Sequence, residues 1–400
     1  MRIRVGLEHV VQNPESTSSW GTCGLLLNQA SIDNEVRPAQ ILLRGLLGDR
    51  LKVLFTPQHG LSADKQDNMI ESGHGRDFVS GLPFYSLYSE VREPTDGMLE
   101  GLDTVIVDIQ DVGTRVYTFI YTLAAIMRAC SRLGKRVVVL DRPNPIGGDI
   151  VEGNVIDDDS RSFVGEYPLP MRHGMTIGEI ARWYRAFGQI DVELDIVPME
   201  GWKRSMHFAD TGRPWVMTSP NIPTAETCAL YPGMVLLEGT NMSEGRGTTT
   251  PFIMVGAPYL RPLKRWIDLL DSLCDLSGLA IRPAAFEPTF HKWAGETCWG
   301  VQFIVLRAPL VRAYRIGLAA IIASSSLAPD DFRYKDPPYE YEYRRPPLQL
   351  LLGSSSLPGK LLTIAAGTPT AGALDELEQQ WMPALERFME QRGTVLLYHG

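Results

Sequence analysis

The chain has 400 residues, of which 44% are hydrophobic and 21% charged, a composition typical of a globular protein long enough for two domains. Its 38 basic and 47 acidic residues give a net charge of -9, which argues against a nucleic-acid-binding surface. No apolar run reaches the length of a membrane span, and Glu8 and His9 interrupt the segment where a signal peptide would be apolar. We therefore expect a cytoplasmic protein without nucleic-acid or membrane partners.

The cysteines and histidines predict no metal site and no disulfide framework. The five cysteines are odd in number and lack C-x-x-C spacing, which is typical of buried free thiols. His59, His74 and His173 lack the spacing of a metal-binding motif. We expect neither a metal nor a cofactor.

The first half of the chain alternates strand-like and helix-like segments. Short apolar runs at 23–27, 53–55, 104–109 and 136–140 predict buried strands. Helical periodicity follows at 38–47 and 117–133, and a capping box of Thr176 and Glu179 predicts a helix over 175–187. With a further strand at 192–198, this order predicts a mostly parallel, Rossmann-like α/β sheet covered on both faces.

The pattern changes near Thr224, where we place a domain boundary. We expect a catalytic domain over 1–224 and a smaller α+β domain over 225–400 that completes a cleft. The second domain has predicted helices at 260–279, 311–324 and 376–391, a strand at 301–306, and a proline-bounded aromatic loop or short strand at 336–347.

Polar residues follow each predicted strand of the first domain. In open α/β sheets, ligands bind at the carboxyl ends of the strands, so these side chains are expected to converge on one cleft. The set comprises Asn28, Gln58, His59, Asp108, Asp111, Arg115, Asn144 and Glu152.

The most polar loop of the chain lies at 238–251, between apolar runs at 234–237 and 252–258. Polar side chains on a loop fixed at both ends are typical of sites for small polar ligands. The alternative is a solvated Gly/Thr turn that binds nothing.

Common motifs of this sheet type are absent from the sequence. It has no phosphate-binding G-x-x-x-x-G-K-[ST] loop, no G-x-G-x-x-G after the first strand and no G-x-S-x-G nucleophile elbow. The remaining carboxylates, amides, guanidinium groups and aromatic rings suit carbohydrate chemistry, as one hypothesis among several.

Several ordered strings of the sequence resemble the exo-β-N-acetylmuramidases of the NamZ type. They include LLNQA at 26–30, FTPQHG at 55–60, DIQDVGTRVYT at 108–118, LDRPNPIGG at 140–148, SFVGEYPLPMRHGMT at 162–176, SPNIPT at 219–224, LLEGTNMSEGRGT at 236–248 and DPPYEYE at 336–342. The resemblance implies release of terminal N-acetylmuramic acid from the non-reducing end of peptidoglycan fragments. It also implies a Rossmann-like domain, a smaller C-terminal domain and a saccharide-binding cleft between them.

The resemblance also implies the site residues. Tyr167 matches a tyrosine expected to assist at the reacting centre. The residues that match cleft motifs are Asn28, His59, Arg172, His173, Asn221, Asn241, Glu244 and Arg246. We add Asp111 and Arg115, which follow a predicted strand. The alternatives are structural: Arg172 and Arg246 as partners of structural carboxylates, Asn221 as a cap, and Tyr167 as a packed aromatic ring.

Gln58 departs from the family, which usually has P-E-H-G with a catalytic glutamate at this position. An amide cannot act as an acid, so an active enzyme needs another carboxylate. We rank the candidates in the order Glu244, Glu166, Asp111 and Asp64. Downstream, the segments 62–64 and 67–69 also depart from the family pattern. The other hypotheses are a sugar-binding protein without activity, a glycosidase for a related amino sugar and, more distantly, a nucleotide-binding protein.

Overall fold

The computed structural model describes residues 2–63 and 69–398. The strands of this part of the chain are β1 (Cys23–Leu27), β2 (Leu51–Thr56), β3 (Gly75–Arg76), β4 (Pro83–Ser86), β5 (Thr104–Asp108), β6 (Arg136–Leu140), β7 (Glu152–Val155), β8 (Pro170–Arg172), β9 (Glu193–Val197), β10 (Met254–Ala257), β11 (Leu279–Phe286) and β12 (Cys298–Val305). The α-helices are α1 (Gly6–Gln12), α2 (Ala39–Leu47), α3 (Phe119–Arg132), α4 (Ile177–Phe187), α5 (Ala225–Met234), α6 (Leu263–Leu273), α7 (Ala313–Leu327), α8 (Pro347–Leu352), α9 (Leu357–Ala366), α10 (Ala371–Gln379) and α11 (Met382–Val395). None of these helices is long and apolar enough to cross a membrane.

The main sheet has the strand order β3-β4-β2-β1-β5-β6-β9, in which only the edge strand β3 is antiparallel to its neighbour. All residues of β1 and β5 are buried, because helices cover both faces. Alternate residues of each strand enter opposite cores: Val105 packs with α3 and α4, whereas Ile106 packs with α1 and α2. This confirms the predicted α/β class.

The predicted helix start at Thr176 is confirmed in detail. The Thr176 hydroxyl accepts from the Glu179 amide at 3.2 Å, and the Glu179 carboxylate accepts from the Thr176 amide at 3.0 Å. These reciprocal bonds satisfy two amide groups that the first turn of α4 leaves without helical partners.

The second half of the chain contains the antiparallel sheet β10-β12-β11, whose buried residues share a hydrophobic core with those of α5 to α9. Helices α5 and α7 touch through glycines: a Cβ atom on Gly233 would lie 1.7 Å from the carbonyl oxygen of Ala313. Only glycine permits this approach. The arrangement confirms the predicted smaller α+β part.

Two predictions in this half were wrong. The helix expected over 260–279 ends at Leu273, and β11 begins at Leu279. The single helix expected over 376–391 is two helices, α10 and α11, separated at Gln380 and Trp381. Pro383 explains the interruption, since proline lacks an N–H and is tolerated only in the first turn of a helix.

Candidate active site

A polar cleft opens at the carboxyl end of β2, beside the loop that follows β5. Both halves of the chain contribute to it. The lining residues are Gln58, His59, Val116, Tyr117, Thr118, Phe119, Val164, Ser219, Asn221, Ile222, Tyr231, Glu238, Arg246, Phe252, Tyr339 and Glu340. The position follows the rule that parallel sheets bind ligands beyond their strand ends.

Gln58 is fixed in the cleft by two side chains. Its amide oxygen accepts a hydrogen bond from the Thr118 hydroxyl at 2.7 Å, and its amide nitrogen donates to Glu340 Oε1 at 3.2 Å. The Tyr88 hydroxyl donates to the other oxygen, Glu340 Oε2, at 2.8 Å. The amide therefore lies directly beside a carboxylate that belongs to the other half of the chain.

Glu340 lies in a strained turn. The backbone groups of Tyr339 and Glu342 bond each other in both directions at 2.9 Å, and the two residues between them, Glu340 and Tyr341, have φ of 44° and 66°. Two left-handed residues are typical of a type I′ turn, which favours Asn-Gly. His59 and Phe252, with φ of 74° and 61°, are further left-handed residues of the lining. Such strain is concentrated at functional sites.

Glu238 is the second carboxylate of the lining. Its Oε1 accepts from Arg246 Nη2 at 2.7 Å and from Arg246 Nε at 3.1 Å, and its Oε2 accepts from the Tyr339 hydroxyl at 2.7 Å. Arg246 also lies over the Phe252 ring, 5.2 Å from its centre. The loop 238–251 is thus a wall of the cleft, anchored by a buried ion pair.

The two lining carboxylates have opposite pKa shifts. Burial raises the pKa of Glu340 above its usual value, although the hydrogen bonds from Tyr88 and Gln58 act against this. Burial acts in the same direction on Glu238, but the charge of Arg246 and the hydrogen bonds to this carboxylate outweigh it and lower its pKa. Glu340 is therefore suited to hold a proton and Glu238 to stay ionised, the division of roles that acid–base catalysis requires.

Glu244, the first candidate for the missing acid, lies behind the lining. Its carboxylate is fully buried and contacts Lys292 Nζ at 2.6 Å, with Arg246 Nε at 3.5 Å and His291 Nδ1 at 3.7 Å. A carboxylate that lies between the cations Lys292 and Arg246 is a partner in a charge network. Its position gives no support to a role as proton donor in this cleft.

Glu166 and Tyr167 form a separate cluster with Arg128. Arg128 Nη1 contacts Glu166 Oε1 at 2.5 Å and the Tyr167 hydroxyl at 3.0 Å. The Tyr167 ring packs against Trp183 and Tyr184. Both residues lie outside the lining, so the assisting role expected for Tyr167 stays a prediction, as does acid catalysis by Glu166.

Asn28 joins the loops that follow β1 and β5, where the order of the sheet reverses. Its side chain donates to the Gln110 carbonyl at 3.2 Å and accepts from the Gln110 amide at 3.3 Å. Below the same loop, Asp111 Oδ2 lies 3.7 Å from His173 Nε2 and accepts from the Gly113 amide at 2.7 Å. These three predicted site residues are buried supports of the β5 loop, and direct substrate contact by them stays a prediction.

The two arginines Arg115 and Arg172 bind backbone. Arg115 is fully buried and donates to the carbonyls of Asn154, Leu169 and Leu351. Arg172 donates to the carbonyl of Ile146. These contacts are with backbone carbonyls rather than with carboxylates, and they join distant segments of the chain.

Asn241 and the remaining predicted residues also have structural contacts. Asn241 donates to the Asp331 carbonyl at 2.8 Å and accepts from the Tyr259 hydroxyl at 2.8 Å, which fixes the start of the polar loop. Asp108 pairs with Arg142 at 2.5 Å, Asn144 donates to the Met175 carbonyl, and Glu152 accepts from the Arg315 amide. Asp64 lies outside the described residues.

The expected convergence on one cleft is therefore correct only in part. Gln58, His59, Asn221 and Arg246 line it together, whereas the other predicted residues support it from behind or lie elsewhere. Glu340 was not among the residues predicted from the sequence. The string DPPYEYE at 336–342 contained the signal, because it places an acidic residue between two tyrosines in one of the strings that resemble the family.

An α/β protein with a polar cleft at its strand ends and two carboxylates of opposite pKa shift has the architecture of an enzyme for a small polar substrate. A polar cleft with two such carboxylates is typical of glycoside hydrolases.

Comparison with known proteins identifies the family. Residues 23–226 match the N-terminal and residues 229–398 the C-terminal family model of exo-beta-N-acetylmuramidase NamZ. The chain belongs to this family of glycosidases. It is 41% identical over 333 residues to the peptidoglycan beta-N-acetylmuramidase NamZ of Bacillus subtilis, covering 83% of this chain and 80% of that protein.

Two crystal structures from Bacteroides fragilis have the same fold. The DUF1343 family protein BF0371 is 29% identical with a TM-score of 0.87, and each chain is fully covered. The DUF1343 family protein BF0379 is 25% identical with a TM-score of 0.76, covering all of this chain and 99% of that one.

Proposed function

We propose that this chain is an exo-β-N-acetylmuramidase that releases a terminal N-acetylmuramic acid residue from the non-reducing end of peptidoglycan fragments. The observation that carries the proposal is the cleft itself, where Gln58 and Asn221 meet Arg246 and Glu340 across the boundary near Thr224. The activity in the name of the Bacillus subtilis relative supports the same substrate class. The ranges of the two family models likewise support domains at 1–224 and 225–400.

Arg246 offers a means to select the muramic acid. This sugar differs from N-acetylglucosamine by a lactyl ether that carries a carboxylate. Arg246 Nη1 is buried without a hydrogen-bond partner in residues 2–63 and 69–398, while its other nitrogens hold Glu238. A guanidinium nitrogen in this position is suited to donate a hydrogen bond to an anionic group of the substrate.

The test is hydrolysis of 4-nitrophenyl N-acetyl-β-muramide and of the matching glucosaminide, which lacks the lactyl group. We expect turnover of the muramide with a kcat/KM at least about tenfold higher than that of the glucosaminide, since one charged contact contributes about 1.5–3 kcal/mol. Arg246→Lys is expected to reduce this ratio, whereas Arg282→Lys, on the exposed face of β11, is the matched control. Equal rates on both sugars would rule out the muramidase assignment.

The second candidate is a sugar-binding homologue without activity, which Gln58 favours because an amide cannot donate a catalytic proton. Calorimetric binding of N-acetylmuramic acid with no hydrolysis of muramides, and a gain of activity in Gln58→Glu, would establish it. The cytoplasmic location and the absence of nucleic-acid partners stay predictions.

A further inference from the structure

We propose that Glu340 is the general acid of this enzyme and takes the role that Gln58 cannot fill. The inference rests on the proposed glycosidase activity and assigns its proton donor to a residue of the second half of the chain.

The position of Glu340 suits a proton donor. Glu340 lines the cleft, and its Oε1 lies 3.2 Å from Gln58 Nε2, within hydrogen-bond reach of the place where the usual family glutamate would be. A proton from Glu340 is therefore released within about one hydrogen-bond length of the site implied for the family acid.

Among the carboxylates of the cleft, the partners of Glu340 suit a proton donor better than those of Glu238. Of those in the part of the chain that the structure describes, Glu238 and Glu340 line the cleft. Glu238 is paired with a cation, since its Oε1 accepts two hydrogen bonds from the Arg246 guanidinium, and this pairing favours the ionised carboxylate. Glu340 has neutral partners instead, the Tyr88 hydroxyl and the Gln58 amide, so its proton is not displaced by a bound cation.

The backbone conformation of Glu340 also supports the assignment. A glutamate at φ 44° in a turn that favours Asn-Gly is energetically unfavourable. The turn directs this carboxylate to the cleft, where it contacts Gln58. Gln58 is then a positioning residue, because its amide connects Thr118 on one side to Glu340 on the other.

The reaction balances with this assignment. The Glu340 carboxyl proton moves to the glycosidic oxygen as the C1–O bond breaks, and the bonding electrons leave with the departing sugar as its hydroxyl group. The acetamido oxygen of the substrate forms the new bond to C1, giving an oxazolinium ion beside ionised Glu340. Water then attacks C1, its proton returns to Glu340, and the acetamido group is restored.

The experiment compares Glu340→Gln with the parent on two substrates, the disaccharide N-acetylmuramyl-β-1,4-N-acetylglucosamine and 4-nitrophenyl N-acetyl-β-muramide. Loss of a general acid is expected to lower kcat/KM for the disaccharide by about 10²–10⁴-fold. The nitrophenolate leaves without protonation, so kcat/KM for the aryl substrate is expected to fall by less than about tenfold. The alkaline limb of the parent's pH profile is expected to disappear in the variant.

Glu342→Gln is the matched control, since Glu342 lies two residues away and pairs with Arg345 at the surface. It is expected to keep parental rates on both substrates. Thermal melting shows whether Glu340→Gln is folded. Glu340→Asp provides a second variant, expected to keep a pH-dependent but reduced rate on the disaccharide.

The outcomes distinguish failure of the role of Glu340 from failure of the proposed function. A parent that cleaves both muramides, with Glu340→Gln equally active on the disaccharide, would overturn the role of Glu340 and leave the proposed function intact. An equal loss on both substrates in folded Glu340→Gln would show a structural role and also overturn it. A parent inactive on every muramide that gains activity only with Gln58→Glu would overturn both.

Discussion

The side-chain amide of Gln58 donates a hydrogen bond to the carboxylate of Glu340 at 3.2 Å, across a sequence separation of 282 residues. This contact joins the end of β2 to the turn at 339–342 and brings an amide and a buried carboxylate together in the cleft. An amide here holds the carboxylate in place, whereas a second carboxylate would share its proton.

Gln58→Glu is expected to make stability depend on pH. Two carboxyl groups about 3 Å apart cannot both ionise easily, so the upper pKa of the pair is raised in the folded state. A raised folded-state pKa gives stability that is present below the unfolded pKa and lost as pH rises through the folded one. We expect a free energy of unfolding near parental at pH 5 and lower by about 3 kcal/mol at pH 8.

Urea denaturation at both pH values measures the effect. Gln302→Glu on β12 is the control, because its neighbour is Arg282 rather than a carboxylate. If the free energy of unfolding of Gln58→Glu depended on pH in the same way as that of the parent, the contact between residue 58 and Glu340 would be contradicted.

Tyr88→Phe is expected to shift the alkaline limb of kcat/KM upward by roughly one pH unit. The Tyr88 hydroxyl donates to Glu340 Oε2 and stabilises the ionised form, so its removal raises the pKa of Glu340 further. The titratable and charged groups around Glu340 are Tyr88, Tyr231, Tyr339, Glu238, Arg246 and, in the same cleft, His59. The pH dependence of disaccharide hydrolysis measures the shift, and a limb that stays in place or moves down would refute it.

Arg246→Met is expected to lower the free energy of unfolding by about 3–5 kcal/mol, because it leaves Glu238 as a buried carboxylate without its cation. The double variant with Glu238→Gln removes both charges and is expected to recover at least about half of this loss. Chemical denaturation of the single and double variants provides the measurement. A single variant as stable as exposed Arg282→Met would disprove the idea.

Asp141→Asn is expected to remove a pH-dependent part of stability. Burial raises the pKa of Asp141 from 3.8 to about 7, against hydrogen bonds from Tyr398, Gly178 and Thr176. The stabilisation by the protonated Asp141 carboxyl is full below pH 3.8 and is lost as pH rises through 7. The free energy of unfolding of the parent, relative to that of the variant, is therefore expected to fall by roughly 3 kcal/mol between pH 5 and 8. Unfolding at the two pH values tests this, and a constant difference between the proteins would count against it.

The elements that the sequence predicted well have strong local signals. The strand at 23–27 was located to the residue, since five consecutive apolar or small residues between polar segments suit a strand buried on both faces. The capping box at Thr176 is equally local. By contrast, the break at Gln380 and Trp381 between α10 and α11 was missed, because apolar residues at helical spacing lie on both sides of it.

The cleft residues that the sequence predicted follow a strand or lie in a string that resembles the family, as Asn221 and Arg246 do. Gln58 and His59 come directly after β2, so the sheet topology places them at the cleft. Glu340 has no such signal. Its position depends on a turn in the second half of the chain that contacts Gln58 and Tyr88 in the first half. Within the loop 238–251 the sequence does not show which of Glu238 and Glu244 faces the cleft, because this depends on the packing of Lys292 and Arg246, and the catalytic role of Glu244 stays a prediction.

The order of apolar runs and caps determined the α/β sheet by itself, because strand burial and helix capping depend on neighbours within a few residues. The ordered strings determined the family. Only the tertiary structure decided which of the many acidic side chains reaches the cleft, because that depends on contacts between residues hundreds of positions apart, as between Gln58 and Glu340.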